Sequence, residues 1–558
     1  MADLAPSARG DFVWLAIEHP EALAPPERAR IAAELAAIAV PVFTTTAALA
    51  SFGSVVIGAR AQLEHGLRSR VVVTDSAGHR DLAFATGTPC VVLPGLSPAS
   101  PAIVAGVGTS TTLRVGDLRA AIARVRDHQA RPVPHDGAAA RIADQFLGWP
   151  GPGDHVALPS DADASGRSFG DDEIALVTAV LRRGTLNSTK GTFVNAFERR
   201  FAQWLGRKHA IACASGSAAV HCAVAAIGLR PGDEVVTTPI TDMGAITPIL
   251  YEGGVPVFAD VEPQTLNVTA ATLRAQITPR TRALVVTHLF GMPCDMAPIR
   301  QLAEERGLVL IEDAAQAFGA TRDGQCVGTF GKVAAFSLQQ GKHITSGEGG
   351  IVATDDDDIA RRVFLYVNKA WGYGDPKPDH YFPALNYRLT ELQGAVLLAQ
   401  LPRLDEFIAR RRAAAARLRE KLRGAPGLVL PGDPASGTHT WWKFAFFVDA
   451  DVVEGGARAL GKKMQAAGVA CVPHYIQKPA FECALFQDWS MSPVTAMPLQ
   501  NNPRRDLPMP LFHRRDYPGA VQALERVVVL PINERYTDVH VDHVAGVIRA
   551  AAQELAHA

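Results

Sequence analysis

Cysteine is scarce and scattered in this chain. The seven cysteines form no Cys-x-x-Cys pair and no Cys/His cluster, which argues against a metal site of the structural zinc type and for a reducing compartment. Long apolar runs are missing as well. There is no stretch of about 18 uninterrupted apolar residues, so no membrane span is expected. The start, MADLAPSARGDFVWLAIEHPEAL, lacks a basic segment leading into an apolar one. No signal peptide is expected, and the cytoplasm is the default location. Neither sign of charge dominates. The formal net charge is −1, and no concentration of Lys and Arg points to nucleic acid or an anionic membrane as partner.

What remains is an ordinary globular composition, 48% hydrophobic and 20% charged over 558 residues. That length exceeds one core, and about two to four domains are expected. Residues 1–146 alternate short apolar runs (Phe12 to Ile17, Val71 to Val73, Val91 to Leu93) with helical stretches such as Arg28 to Ala39. This pattern predicts parallel strands joined by crossover helices. A Pro-, Gly- and Asp-rich linker is expected over 147–167. A second α/β series follows, with strands near Ala210–Ala212, Glu234–Thr237, Val255–Phe258, Ala283–Val286 and Leu308–Ile311. It predicts a doubly wound sheet over 168–408. One helix from Glu391 to Ile408 leads into a smaller α+β domain, 409–558. Asp355–Asp358 reads as a solvated turn or helix start, and Arg410-Arg411-Arg412 as a helix surface.

Four short stretches carry candidate chemistry. In ACASGSAAVHCAVAA (212–226) a strand turns into an alanine-rich helix through Ser215-Gly216-Ser217, small residues that leave backbone amides and the positive helix end open to a phosphate. In LVLIEDAAQAFGA (308–320) a strand ends in Glu312-Asp313, and ligands of open α/β sheets bind at that edge. A buried carboxylate there needs a cationic partner; a protonated pyridine nitrogen and a helix N-cap are both consistent with it. SLQQGKHITSGEGG (337–350) sets Lys342 between a polar run and glycines. ALNYRLTELQGA (384–395) places Asn386 before a helix.

In this order the four stretches resemble the DegT/StrS-type sugar aminotransferases, over about 168–558. The resemblance implies an aspartate-aminotransferase fold (fold type I) and pyridoxal 5'-phosphate as cofactor. Lys342 would hold the cofactor as a Schiff base and then act as general base. Asp313 would pair with the pyridine nitrogen, and Gln316 would lie near the ring. Gly216, Ser217 and Ser337 would bind the phosphate. Asn386 would reach the phosphate of a neighbouring subunit, implying a homodimer with a shared active site. Met243, in the turn Pro239-Ile240-Thr241-Asp242-Met243-Gly244, falls where relatives stack an aromatic ring on the cofactor. His474 and Tyr475 fall where relatives contact substrate. The expected reaction moves an amino group from L-glutamate or L-glutamine to a keto-sugar, nucleotide-linked, or to a keto-cyclitol; Gln339-Gln340 looks like relatives of the cyclitol kind. The alternatives are a sugar dehydratase, whose members carry histidine where this chain has Lys342, and a non-catalytic scaffold.

VVVTDSAGHRDLAFATGTPCVVLPG (71–95), with Glu18-His19-Pro20, resembles the nucleotide-binding half of UDP-N-acetylglucosamine 2-epimerase and glycosyltransferase-B relatives, a Rossmann-like half-fold, over about 10–130. Asp75-Ser76-Ala77-Gly78 stands for their Asp-Ser-Gly-Gly turn, and Leu82 for a ribose-binding glutamate. The catalytic N-terminal half of those enzymes has no counterpart. The expectation is a nucleotide-sugar-binding module or a packing remnant, without epimerase activity.

Overall fold

The computed structural model describes residues 156–487 and 510–556, together with the backbone of six short strands between residues 13 and 110. The chain divides into two compact units, Met1–His155 and Val156–Ala558.

In the first unit the six strands form one parallel sheet in the order Val55–Val56, Val42–Thr44, Val13–Ala16, Val71–Thr74, Cys90–Val92, Gly108–Ser110. The chain winds outward in one direction, then returns to the centre and winds in the other. The reversal falls between Val13–Ala16 and Val71–Thr74, the place where doubly wound sheets open a crevice. The helix expected at Arg28 to Ala39, the His19-Pro20 pair, the turn at Asp75–Gly78 and Leu82 lie outside the described residues.

The second unit is built on a seven-stranded sheet. Its order is His209–Cys213, Gly350–Thr354, Val333–Ser337, Val309–Asp313, Thr281–Thr287, Glu234–Thr237, Val255–Phe258. These strands are apolar runs rather than alternating ones because helices cover both faces. Phe197, Phe201, Phe318 and Phe336 fill one side; Val220, Val224, Ile249 and Val363 fill the other. The sheet is not wholly parallel as expected. Gly350–Thr354 runs antiparallel to both its neighbours, so the chain leaving Val333–Ser337 passes through the Lys342 loop and comes straight back.

A smaller antiparallel sheet, Leu428–Val429, Lys443–Val448, Val527–Pro531 and Val472–Pro473, packs against the helices Leu404–Leu422, Gly456–Ala466 and Asp538–Leu555 through a shared apolar core. The helix expected from Glu391 to Ile408 is two. Glu391–Gln400 ends at a 3₁₀ turn, Leu401–Arg403, and Leu404–Leu422 starts afresh. Pro402, inside the turn, cannot donate the amide a continuous helix would need. The boundary expected at 408/409 thus falls within the second helix.

Arg411 corrects another expectation. It is fully buried, 2.8 Å from Glu534 and donating to the Ile532 carbonyl at 2.6 Å, so it ties the long helix to the small sheet. Asp356 caps the helix Asp357–Val367 by accepting from the Asp358 and Ile359 amides, which is the helix start read from the acidic run. Among the described residues no helix is long and apolar enough to cross a membrane.

Candidate active site

The carboxyl ends of three strands converge on one cavity of about 370 Å³. The first wall is the turn after His209–Cys213. Ser215 caps the helix Gly216–Ala226, its hydroxyl accepting from the Ala218 amide. The Gly216 and Ser217 amides, at the positive end of the dipole, have no acceptor within the helix, and both residues border the cavity. Ser337 closes the turn from the end of its own strand. A β-carbon added at Gly216 would stand 2.6 Å from the Ser337 β-carbon, so only glycine fits. Gly216, Ser217 and Ser337 all line the cavity.

Asp313 ends the central strand Val309–Asp313, directly beside Thr287. It is buried, accepting from the Ala315 amide at 3.1 Å and from the Thr287 hydroxyl at 3.3 Å. Burial pushes its carboxyl above the ordinary aspartate range against these bonds and the nearby Lys342. It is a carboxylate short of a cation.

Lys342 is also buried, and its ammonium nitrogen lies 4.0 Å from the centroid of the Trp442 ring. Burial pushes the Lys342 ammonium down to about 8, opposed by the carboxylates of Asp313 and Asp242 and assisted by the positive charge of Lys443. At pH 7 about a tenth of this amine is therefore the free base, far more than for an ordinary lysine. Gln316 accepts from the Phe290 amide at 2.7 Å and faces the same cavity. Tyr475 completes this side, its ring edge-on to Phe290 at 4.7 Å; burial pushes its hydroxyl up to about 12.

Three expected residues stand apart. Met243 does not line the cavity; it packs against the apolar core, and Asp242 and Gly244 on either side of it face the opening instead. The cause is the tight turn: the Asp242 carboxylate accepts from the Gly244 amide at 2.8 Å, starting a single 3₁₀ turn that swings Met243 outward. His474 also lies off the cavity, its Nδ1 3.0 Å from the Leu524 carbonyl. Asn386 is exposed, bridged to Asn368. Sequence reasoning missed Trp442, whose indole donates to the Gly341 carbonyl at 2.7 Å. The paired Trp441-Trp442 before a strand was the available signal. His343 is core rather than site, fully buried with Nε2 3.3 Å from the Thr440 carbonyl.

A buried lysine, a strand-end aspartate and an open helix end share one sheet edge, the arrangement of pyridoxal-phosphate enzymes of fold type I. A family model described as the DegT/DnrJ/EryC1/StrS aminotransferase family matches residues 167–514. Caulobacter vibrioides GDP-perosamine synthase is 42% identical over 260 residues, 46% of this chain and 69% of that protein. Bacillus subtilis spore coat polysaccharide biosynthesis protein SpsC is 32% identical over 68% of this chain and 94% of its own length. The solved structure of S. venezuelae DesV with a ketimine intermediate superimposes with a TM-score of 0.59 at 30% identity, covering 68% of this chain and 94% of that one. This chain belongs to the DegT/DnrJ/EryC1/StrS aminotransferase family, and it is a pyridoxal-phosphate-dependent aminotransferase.

Proposed function

We propose that Lys342 supplies the amine that joins the cofactor aldehyde, and that the acceptor is a keto-sugar or a keto-cyclitol. One observation carries the assignment of Lys342: a buried amine held near neutrality shares a cavity with an uncompensated Asp313 carboxylate and the Gly216–Ser217 helix end. The cavity fits the cofactor at both ends. Gly216, where a side chain would collide with Ser337, leaves room for the phosphate against the amides, with the Ser217 and Ser337 hydroxyls as further donors. Asp313 needs the cation that a protonated ring nitrogen provides. When bound, the cofactor supplies an exchangeable aldehyde and a ring that takes up electrons. Lys342, once free, moves a proton at the substrate Cα. Gln316 and Tyr475 border the space where substrate would sit. The retention of lysine at 342, with His343 turned into the core, favours amino transfer over dehydration.

The acceptor class is supported by the relatives, one named for perosamine and one for a spore coat polysaccharide. L-glutamate or L-glutamine remains the donor in this reading, and the cytoplasm the location. A second copy of the chain would bring its Asn386 to the phosphate and would cover Ile174, Leu181 and Leu385, apolar side chains more than half exposed. We retain residues 1–146 as a partial epimerase-like domain, either a module for a nucleotide-sugar or a packing remnant, the latter favoured by Leu82 in place of a ribose-binding glutamate. Its support is the parallel strand order, which reverses between Val13–Ala16 and Val71–Thr74.

The test is a visible-absorption titration with pyridoxal phosphate, then with each amino acid, beside Lys342→Ala. A Lys342-dependent band that one donor bleaches supports the reading and names the donor. A band indifferent to every amino donor overturns amino transfer.

A further inference from the structure

The residues just before the first helix of the second unit are strapped onto the loop that carries Lys342. Three consecutive loop residues are tied down from outside. Gln340 donates its side-chain amide to the Asp161 carbonyl at 2.9 Å, Gly341 accepts from Trp442, and the Lys342 carbonyl accepts from Arg167 at 2.7 Å. The strap is itself anchored: Asn533 donates to the Pro159 carbonyl and Arg403 to the Ser168 carbonyl. Residues expected as linker, 159–167, are therefore part of the setting of Lys342.

The side chain of Asp161 does something further. It lies 3.1 Å from the Lys443 ammonium and 3.3 Å from Arg167. Lys443, mostly buried, lies 5.0 Å from the centroid of the Trp442 ring over which Lys342 sits at 4.0 Å. Two ammonium groups thus share one indole. The ring attracts each cation, but the two repel one another, and both are largely buried, where such repulsion is weakly screened. We propose that Lys443, held in place by Asp161, is a positioning residue that makes the Lys342 ammonium easier to deprotonate and so raises its share of nucleophilic free amine. This rests on Lys342 being the residue that joins the cofactor.

The balance around Lys342 has named parts. Asp313 and Asp242 favour its charged form, while burial and Lys443 oppose it. Around Lys443, Asp161 is the attractive charge, and Arg411 and Arg167 are repulsive ones. Asp161 therefore sustains Lys443 in two senses: it fixes the ammonium near the ring, and it keeps that ammonium charged against burial, Arg411 and Arg167. Removing Lys443 should make Lys342 easier to protonate. Removing the charge of Asp161 should act in the same direction, because Lys443 then loses both its anchor and the carboxylate that keeps it protonated.

Lysine reactivity in the apoprotein reads this directly. Lys342 is labelled with fluorodinitrobenzene across pH, and the label is quantified on its peptide by mass spectrometry, in wild type, Lys443→Met, Lys443→Gln and Asp161→Asn. The midpoint should rise in both Lys443 variants, with labelling at neutral pH slower by on the order of tenfold, the equivalent of one pH unit. It should rise in Asp161→Asn as well. The second Lys443 variant serves where the first does not fold. Midpoints unmoved by the Lys443 substitutions, or moved downward, overturn the proposal. Pyridoxal phosphate added beforehand separates the two readings. If it fails to protect Lys342, the assignment of Lys342 is wrong. If it protects while the midpoints stay fixed, only the role of Lys443 is.

Discussion

Glu312 and Asp313 are adjacent on one strand and face opposite environments. Alternation across the sheet sends Asp313 to the cavity and Glu312 into a closed cage. There Glu312 accepts from the Gly328, Phe330 and Gly331 amides at 2.8, 2.8 and 2.6 Å and from His288 at 3.2 Å. His288 accepts the Cys294 amide on its other nitrogen, so it is the neutral tautomer donating to Glu312. Four donors satisfy one carboxylate, while its neighbour accepts from only two and borders the open cavity.

Replacing the unsatisfied one should cost chemistry rather than folding. Asp313→Asn should retain the fold and lower kcat by roughly 10²–10³-fold, the usual scale for losing one preorganised group that stabilises charge in the transition state. Steady-state kinetics beside thermal melting separates the two effects.

Replacing the satisfied one should do the reverse. Glu312→Ala leaves buried donors without an acceptor and should destabilise the unit by about 3–5 kcal/mol, measured by urea unfolding. The pH dependence follows. Burial pushes the Glu312 carboxyl up, but the bonds from His288 and the backbone outweigh it and hold it below the ordinary glutamate value. A depressed folded value contributes stability that is complete above the unfolded pKa, near 4.5, and is lost as pH falls through the folded one. Wild type should lose stability relative to Glu312→Gln as the solution is acidified below that point.

Lys342 has the opposite sign. Its folded value, about 8, lies below the unfolded 10.5. Its charge therefore burdens the apoprotein fully below pH 8, and the burden disappears as pH rises towards 10.5. Lys342→Met should stabilise the apoprotein at pH 7 by about 1–3 kcal/mol, with the gain vanishing in alkali. Urea midpoints at several pH values check this.

Gly216→Ala should weaken cofactor binding at least tenfold, because the new methyl meets Ser337 at 2.6 Å. Pushing that wall aside costs about 1–3 kcal/mol. Cofactor affinity by absorbance titration is the readout, with the melting temperature of the apoprotein as control.

The site was legible where chemistry is written in short segments. Gly216 and Ser217 sit in a strand-to-helix turn, Asp313 ends an apolar strand, and the glycines after Lys342 mark its loop. Contacts between distant segments were not legible. Trp442 reaches Lys342 across a hundred residues of chain, and the Trp441-Trp442 pair before a strand does not say which ring faces the site and which the core. Arg411 looked solvated in a run of three arginines because its partner, Glu534, is far away in sequence. The strand Gly350–Thr354 was hidden by the glycines that precede it, which read as loop. Met243 was misplaced because a single 3₁₀ turn decides which of two neighbouring side chains meets the cavity.

The most direct test of the central claim is to reduce the cofactor-loaded protein with borohydride and map the cofactor mass by peptide sequencing. The account predicts one adduct, on Lys342, with none in Lys342→Ala. An adduct on Lys443, the other ammonium on the same indole, or the absence of any adduct on Lys342, would contradict it.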